Sequence, residues 1–365
     1  VVDAVCDQAF ALAHTMATDA GVVRAVEFLD DGTNQMLAAG GEDHILRVWR
    51  LDAFSTTPAL FRGHQETIWS LEWIGAHGLL ASASGDGTIR FWPMSVLMAS
   101  QTCSGDAAAR LNCCDGDGLG CQGEHVVSYR DAGMTIRRQV FSLHWIASAG
   151  LLVSGWGDGV IRTWSYNGAN TNPSWSFANS FTTAEGDRPY GVHWMSGPSL
   201  LATISPDWPH PRLWDDLTSG TYTYLTEDLG LGGFGLAPHA HRDAVLDLSV
   251  NAAGTMMATG SRDNTVILWD GSAKDRTAKL SGHTGYVASV AWLDSETKLA
   301  SGSGDNTIKI WSMADTTADQ SSAAETLAGH SGQVNDLVWF AGVSQGQLVS
   351  GGADGHVKLW NCVSR

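Results

Sequence analysis

Short runs of alternating apolar and polar residues recur along this chain, each closed by Gly, Asp, Asn or Ser. Near the C-terminus they are Val287–Trp292, Lys298–Ser303 and Thr307–Trp311. A period of two, rich in β-branched residues and bounded by turn formers, predicts half-buried strands in hairpin succession. A fourth run, such as Thr277–Leu280, precedes each Gly-His pair. No stretch carries a 3.6-residue apolar period long enough to predict a helix. The predicted unit is a four-stranded antiparallel meander.

That unit repeats. The clearest copies span 63–92, 282–311 and 329–360. An Asp stands six residues before a Trp at Asp43/Trp49, Asp86/Trp92, Asp158/Trp164, Asp263/Trp269, Asp305/Trp311 and Asp354/Trp360. A stretched pair, Asp207/Trp214, completes seven. In four copies a His lies upstream: His64, His241 and His283 at 22 residues before the Asp, and His330 at 24. One such sheet cannot bury both faces alone. Seven set radially can, each packing on its neighbours. From Trp92 to Trp164 is 72 residues (164 − 92) without a second Asp/Trp pair. The surplus predicts an insertion at about 99–123 on the bottom face, rich in Gly, Ala, Ser and Asp, not an eighth blade.

The repeated Gly-His, Ser/Thr, Asp and Trp positions resemble the WD-repeat β-propeller family over nearly the whole chain. The dipeptide that names the family survives only at Trp214-Asp215 and Trp269-Asp270. The resemblance implies an all-β chain, 1–365 forming a single seven-bladed propeller of four-stranded antiparallel sheets. It also implies a hydrogen-bonded relay in each blade. Carried over residue by residue, four relays are complete: His64, Ser82, Asp86, Trp92; His241, Thr259, Asp263, Trp269; His283, Ser301, Asp305, Trp311; and His330, Ser350, Asp354, Trp360. Three are not. Blade one has Ala39 at the Ser position, and its nearest His, His14, stands five residues too early. Blade three keeps Ser154, Asp158 and Trp164, and blade four Thr203, Asp207 and Trp214, both without the His. The early half of the ring is expected to be less rigid. Recurring His, Ser and Asp do not signal a hydrolase, because one nucleophile is not needed four times. The runs Gly302–Asp305 and Gly155–Asp158 lack the following helix that a phosphate loop requires.

Residues near 4–12 are expected to pair with strand 356–362 and close the ring, with Ala9 near Trp360. That register sets Cys6 near Cys362 or Val363. A disulfide would clamp the closure in an oxidising compartment, and two adjacent thiols would remain in a reducing one. Cys103, Cys113, Cys114 and Cys121, with His125 nearby, match no zinc spacing, so neither metal nor cofactor is expected.

Charge narrows the partners. Formal net charge is −17, from 38 acidic and 21 basic residues. Such a surface repels phosphate backbones and favours basic partner segments. No Lys/Arg cluster suggests a membrane patch, and no apolar run approaches the ~18 residues of a membrane span. The 44% apolar content is ample for a large core. The chain opens Val1-Val2 without Met and without a signal-peptide pattern, and the expectation is that an upstream piece has been removed or trimmed. An intracellular home, cytoplasmic or nuclear, is the default, with organelle import left open.

The expected function is a non-enzymatic scaffold or adaptor subunit, a monomeric propeller within a hetero-complex. The top face carries the loops entering each first strand and the turns holding each Asp. Its departures cluster in blades four and five: Glu185–Pro189, Ser205–Pro211 and Glu227–Pro238. A Trp between prolines is stiff and poorly buried, and aromatics with Arg commonly anchor interfaces. The candidate partner-binding residues are Trp208, His210, Phe234 and Arg188, with Arg242, Arg262 and Tyr286 near the channel mouth. Thr67, Gln333 and Glu42 share that mouth. The alternative is a propeller that binds a small molecule or metal in its channel, possibly an enzyme. It would need acids, His or Cys converging on the mouth beyond the relays, and no such ring is read from the sequence. Recognition of a modified peptide would need an aromatic cage with an acid. Tyr286 and Glu42, in blades six and one, are not adjacent.

Overall fold

Seven four-stranded antiparallel sheets carry nearly all the regular structure. The computed structural model describes residues 9–18, 21–51, 57–99, 125–128, 139–168, 175–183, 188–214, 222–224, 241–293, 297–313, 319–341 and 346–363. The runs read in blade six form strands Val287–Leu293, Lys298–Ser303 and Thr307–Ser312, with Glu325–Ala328 outermost. Its turn is made by Asn306, which takes a positive φ of 69°, a conformation that Asn tolerates better than most residues. The innermost strands Val23–Asp30, Ile68–Ile74, Val140–Ile146, Gly191–Met195, Val245–Val250, Val287–Leu293 and Val334–Ala341 pack successively around a central channel.

The core is divided into seven apolar wedges, one between each pair of neighbouring blades. The relay Trp sits at the heart of its wedge. Trp92, Trp214, Trp269 and Trp311 are at most 1% exposed. A Trp or other large aromatic buries 150–250 Å², so each contributes an upper bound of about 4–6 kcal/mol at ~25 cal/mol per Å².

The inner strands also clasp one another through polar groups. Asp247 Oδ2 accepts the Val290 amide at 2.8 Å, Asp336 Oδ2 the Val26 amide at 2.8 Å, and Glu72 Oε1 the Trp145 amide at 2.9 Å. Ser70 and Ser289 hydroxyls accept the Leu143 and Leu337 amides in the same way. Each acceptor lies one blade before its donor. The clasps supply partners to inner-strand amides that would otherwise face a neighbouring blade unpaired.

Strand Ala9–Ala17 pairs antiparallel with His356–Val363 and is outermost in the last sheet. The pairing is shifted by three residues from the expected register: Leu12, not Ala9, opposes Trp360, and Phe10 opposes Cys362. The physical reason is burial. This register turns Phe10 (7% exposed) and Met16 (6%) inward. Phe10 meets Trp339 edge-on at 6.0 Å. Cys362 is buried and disulfide-bonded; Cys6 lies outside the described residues. A second correction is local. Met94–Ala99 forms one short helical segment, because Met94 and Leu97 drop into the wedge between blades one and two. The insertion itself and its four Cys lie outside the described residues. No helix among those described is long and apolar enough to cross a membrane.

Candidate functional site: the channel mouth and its acidic lining

The relay residues are fasteners, and their geometry sets what is left over for binding. In blade two, His64 Nδ1 lies 2.9 Å from Asp86 Oδ2, His64 Nε2 lies 2.7 Å from Ser82 Oγ, and the Trp92 indole N–H donates to Ser82 Oγ at 3.0 Å. Blade five repeats this with His241–Asp263 at 3.1 Å, His241–Thr259 at 2.8 Å and Trp269–Thr259 at 2.8 Å. Blade six has all three contacts, His283–Asp305, His283–Ser301 and Trp311–Ser301, at 2.8 Å. Blade seven has His330–Asp354 at 3.0 Å, His330–Ser350 at 2.7 Å and Trp360–Ser350 at 2.9 Å.

Donor chemistry orients the chain of bonds. An indole only donates and a carboxylate only accepts, so the Trp N–H donates to the Ser or Thr oxygen and the His Nδ1–H donates to the Asp. Burial lowers the pKa of His64, His283 and His330, opposed by the Asp beside each. Burial works to raise Asp305 and is outweighed by the Thr307 hydroxyl, His283 and the Thr284 amide, which bring it down to about 2. Asp86 and Asp263 are lowered further by the same kind of partners.

The blades without the His solve the problem differently. In blade three, Arg162 clamps Asp158 through two bonds of 3.1 and 2.7 Å, and its guanidinium lies 4.6 Å over the Trp156 ring. The Trp156 indole takes the bond to Ser154 Oγ, at 2.7 Å, that His makes elsewhere. Trp164 donates to the same oxygen at 2.8 Å. In blade one, Arg47 pairs with Asp43. Both arginines are buried, at 5% and 3% exposure. The sequence clue is the pairing of Asp-x3-Arg with a missing His, since blade two has Asp86-x3-Arg90 beside its complete relay. Blade one is still incomplete. With Ala39 at the Ser position, the buried Trp49 indole N–H has no hydrogen-bond partner among the described residues. Blade four departs most. Trp214 bonds Thr203 at 2.8 Å, but Asp207 is exposed and pairs with Arg188 at 3.1 Å.

The relays are fastened within their blades, and the channel with its top mouth is one open concave surface. Among the described residues, six inner strands carry a β-bulge at their second or third residue, between Val23/Ala25, Ile68/Ser70, Val140/Ser142, Val245/Asp247, Val287/Ser289 and Val334/Asp336. A bulge inserts one extra residue and re-aims its side chain. Here it places Arg24, Trp69 and Phe141 at the mouth, where Tyr190 of blade four joins them. Trp69 and Phe141 meet edge-on at 5.9 Å, and Phe141 and Tyr190 are tilted at 4.2 Å. Arg24 lies 5.6 Å over Trp69, and Arg188 lies 5.7 Å over Tyr190. The result is a continuous aromatic arc over blades two to four with an arginine at each end.

Mouth and channel together form a cavity of about 1020 Å³. Its wall holds Glu27, Glu72, Asp247 and Asp336, together with His193. This corrects the expectation that no ring of acids and His converges there. Those residues occupy alternate inner-strand positions that read as ordinary polar alternation until seven strands are set around one axis. Burial and neighbouring acids raise Glu27 well above the usual carboxylate range. Burial raises Glu72 to about 7 and Asp247 to about 6, and burial with the Asp247 charge raises Asp336 to about 7. Burial lowers His193 to about 4 and His144 well below its ordinary value. The His144 and His193 rings are 4.3 Å apart, and His144 Nδ1 is 3.8 Å from Glu72 Oε1. No group of three or more His, Cys, Asp or Glu among the described residues is arranged to hold a metal ion.

The expected partner-binding residues divide into separate places. Arg262 and Tyr286 line the channel, and the Tyr286 hydroxyl donates to Gln333 of the next blade. Arg188 is exposed and shared between Asp207 and Tyr190. Trp208 is half-buried, its ring 4.8 Å from the Arg212 guanidinium and 6.0 Å from the His210 ring. Arg242 is exposed, and its amide donates to Asp263 at 2.9 Å. Phe234 lies outside the described residues. The mouth aromatics Trp69, Phe141 and Tyr190 were not singled out from sequence, because each stands beside the first residue of an inner strand, where an aromatic reads as core.

The comparisons agree with this architecture. The family model described as "WD domain, G-beta repeat" matches residues 10–50, 55–93, 236–270, 274–312 and 322–361. The unmatched interval holds blades three and four, the two that keep the Ser or Thr but lack the relay His. Among known proteins, striatin-3 of Bos taurus is 23% identical over 281 residues, 74% of this chain and 30% of that protein. The anaphase-promoting complex subunit cdc20 of Dictyostelium discoideum is 34% identical over 119 residues, 33% of this chain and 22% of that protein. The F-box-like/WD repeat-containing protein TBL1X of Mus musculus is 26% identical over 208 residues, 55% of this chain and 36% of that protein. The matched regions thus span about a third or less of these relatives' lengths. The crystal structure of the WD40 β-propeller domain of Doa1 superposes with a TM-score of 0.67 at 16% identity, covering 96% of both chains. On its repeats, its sheets and these matches, the chain belongs to the WD-repeat family.

Proposed function

We propose that this propeller is a non-enzymatic interaction scaffold, an adaptor that seats a protein or peptide partner on its top face within a larger assembly. The observation that supports it best is the aromatic arc Trp69–Phe141–Tyr190 with Arg24 and Arg188 at its ends. Aromatics and arginines are the residue types that anchor interfaces, and elsewhere the large aromatics are largely spent between blades. The proposed surface runs from this arc across the Arg188–Asp207 pair to Trp208 and His210, and takes in Arg242, Arg262 and Tyr286. It therefore extends from blades four and five toward blade two. The relatives support the same class of role: one is by name a subunit of the anaphase-promoting complex. With an acidic surface overall, the expected partner segment is basic, and the expected setting is a monomeric propeller in an intracellular hetero-complex.

Affinity capture tests the reading. Wild type is compared with Trp69→Ala, with Trp208→Ala and with Phe177→Ser, a change on the outer edge where Phe177 is 45% exposed. The top-face variants should lose partners that the edge variant keeps. An identical captured set for all four chains would refute the proposal.

A further inference from the structure

The outer edge of blade five is held by a piece of another blade. Strand Asp275–Ser281 is outermost in its sheet. Residues 319–320, in the segment leading to the outer strand of blade six, lie along it in parallel, with Gln320 opposite Leu280. The Ser281 amide donates to the Gln320 carbonyl at 2.7 Å, and the Gln320 amide donates to the Lys279 carbonyl at 2.9 Å. Asp319 Oδ1 accepts the Lys279 amide at 2.7 Å, and both Asp319 oxygens meet Arg276 Nη2, at 2.5 and 2.6 Å. No other isolated bridge extends a sheet edge among the described residues. This edge is also locally basic in an acidic protein: Lys274, Arg276 and Lys279 fall within six residues of a chain whose formal net charge is −17.

The strap does not fill the socket it occupies. Arg276 is the buried partner, with 16% of its side chain exposed against 63% for Asp319. A guanidinium offers a planar fork to a carboxylate, yet Asp319 engages Nη2 alone. Arg276 Nε is buried and has no hydrogen-bond partner among the described residues, and neither has the Thr277 hydroxyl on the next residue. A buried donor left unpaired is costly. Exposed Ser321 and Ser322 follow the strap, so it adds little apolar burial of its own. A carboxylate on a stem one methylene longer reaches further toward Nε. We infer that the outer edge of blade five is a docking groove for an extended partner segment carrying a glutamate, which displaces residues 319–320, continues the sheet in parallel and sets its carboxylate on Nε and Nη2 of Arg276 together. Main-chain bonds at Lys279 and Ser281 supply affinity, and the Arg276 fork supplies selectivity. The tethered strap is a built-in competitor that keeps the edge covered until such a segment arrives. This surface lies on the outer rim, so it stands or falls independently of the top-face reading.

The test uses the full chain with Asp319→Ala, which removes the anchor of the strap at an exposed position. The probe is a capped hexapeptide, Thr-Ala-Glu-Gln-Ser-Ser, which copies residues 317–322 with glutamate at the place of the aspartate. Binding is read from the backbone ¹H–¹⁵N resonances of Lys279 and Ser281, which the glutamate peptide should shift saturably. The same peptide with aspartate should bind about threefold more weakly, and with glutamine about tenfold more weakly. The wild-type chain should bind the glutamate peptide about tenfold more weakly than Asp319→Ala does, because its strap competes. Adding Arg276→Lys keeps the charge and loses the fork, so it should remove the preference for glutamate over aspartate. Equal affinity for the glutamate and glutamine peptides, a glutamate preference that survives Arg276→Lys, or no saturable shift at Lys279 and Ser281 overturns the inference. Dimerisation of the wild-type chain that Arg276→Met abolishes would assign the edge to a second copy exchanging straps, and overturns it as well.

Discussion

Blade one contains a gap in its relay that one oxygen atom can fill. In six blades the relay Trp donates its indole N–H to a Ser or Thr hydroxyl at 2.8–3.0 Å. In blade one that position is Ala39, and the Trp49 N–H, in a side chain 1% exposed, has no partner among the described residues. A buried unpaired donor costs about 1–3 kcal/mol, and a neutral hydrogen bond returns about 1 kcal/mol net. Ala39→Ser supplies the acceptor. The new hydroxyl needs an acceptor in turn, and blade three shows where it lies. There Ser154 donates to the Arg162 carbonyl at 3.2 Å, and Ala39 stands opposite Arg47 as Ser154 stands opposite Arg162. Desolvating the hydroxyl offsets part of the gain, so the expected stabilisation is about 1 kcal/mol. In a chain of this length that raises the thermal midpoint by about 2 °C or less. The sharper assay is local: hydrogen exchange at the Trp49 indole should slow by about fivefold, the factor for ~1 kcal/mol. Trp49→Phe supplies the control, because without the indole donor Ala39→Ser should gain nothing. A gain that persists in the Phe background, or a destabilisation of the single variant, would refute the reasoning.

Other tests follow from the same geometry. Arg162→Met should destabilise by about 3–5 kcal/mol, because it strands the buried Asp158 carboxylate; adding Asp158→Asn should recover most of that in urea denaturation, and no recovery would mean the loss is one of packing alone. Gly352→Ala would set a Cβ 2.5 Å from His330 Nδ1 and 2.7 Å from Asp354 Oδ1, so blade seven should loosen by about 1–3 kcal/mol, seen as faster exchange at the Trp360 indole; unchanged exchange would show that the relay tolerates the displacement. Glu72→Gln should change the pH profile of stability. The folded pKa of Glu72 lies above its unfolded value, so its favourable contribution is present at low pH and lost as pH rises through about 7. The Gln variant should therefore gain on wild type between pH 5 and pH 8, and parallel profiles would show that the channel does not perturb this group.

Much of the blade interior was legible one repeat at a time. His64, Ser82, Asp86 and Trp92 announce their contacts because a turn Asp, a strand Ser and a strand Trp sit at spacings that a meander brings together. The Arg162 substitute was legible too, at a spacing of four from Asp158, but it is meaningful only once the relay His is known to be missing. The ring-closing strand could be located but not registered. Its short pattern allows either alignment with Trp360, and the choice falls to whether Phe10 and Met16 reach the wedges of blades six, seven and one. The mouth and the acid well were not legible. Trp69, Phe141 and Tyr190 come from three blades separated by dozens of residues, and the bulges that aim two of them leave no mark in the sequence.

The sequence by itself thus determined the unit, its number and its internal fastening, because those depend on spacing within about 40 residues, the scale of one repeat. The tertiary structure alone decided which side chains converge on the axis and how negative that axis is. Convergence is a property of seven strands around one channel, and the desolvation that raises Glu27, Glu72 and Asp336 arises only when the blades close around them.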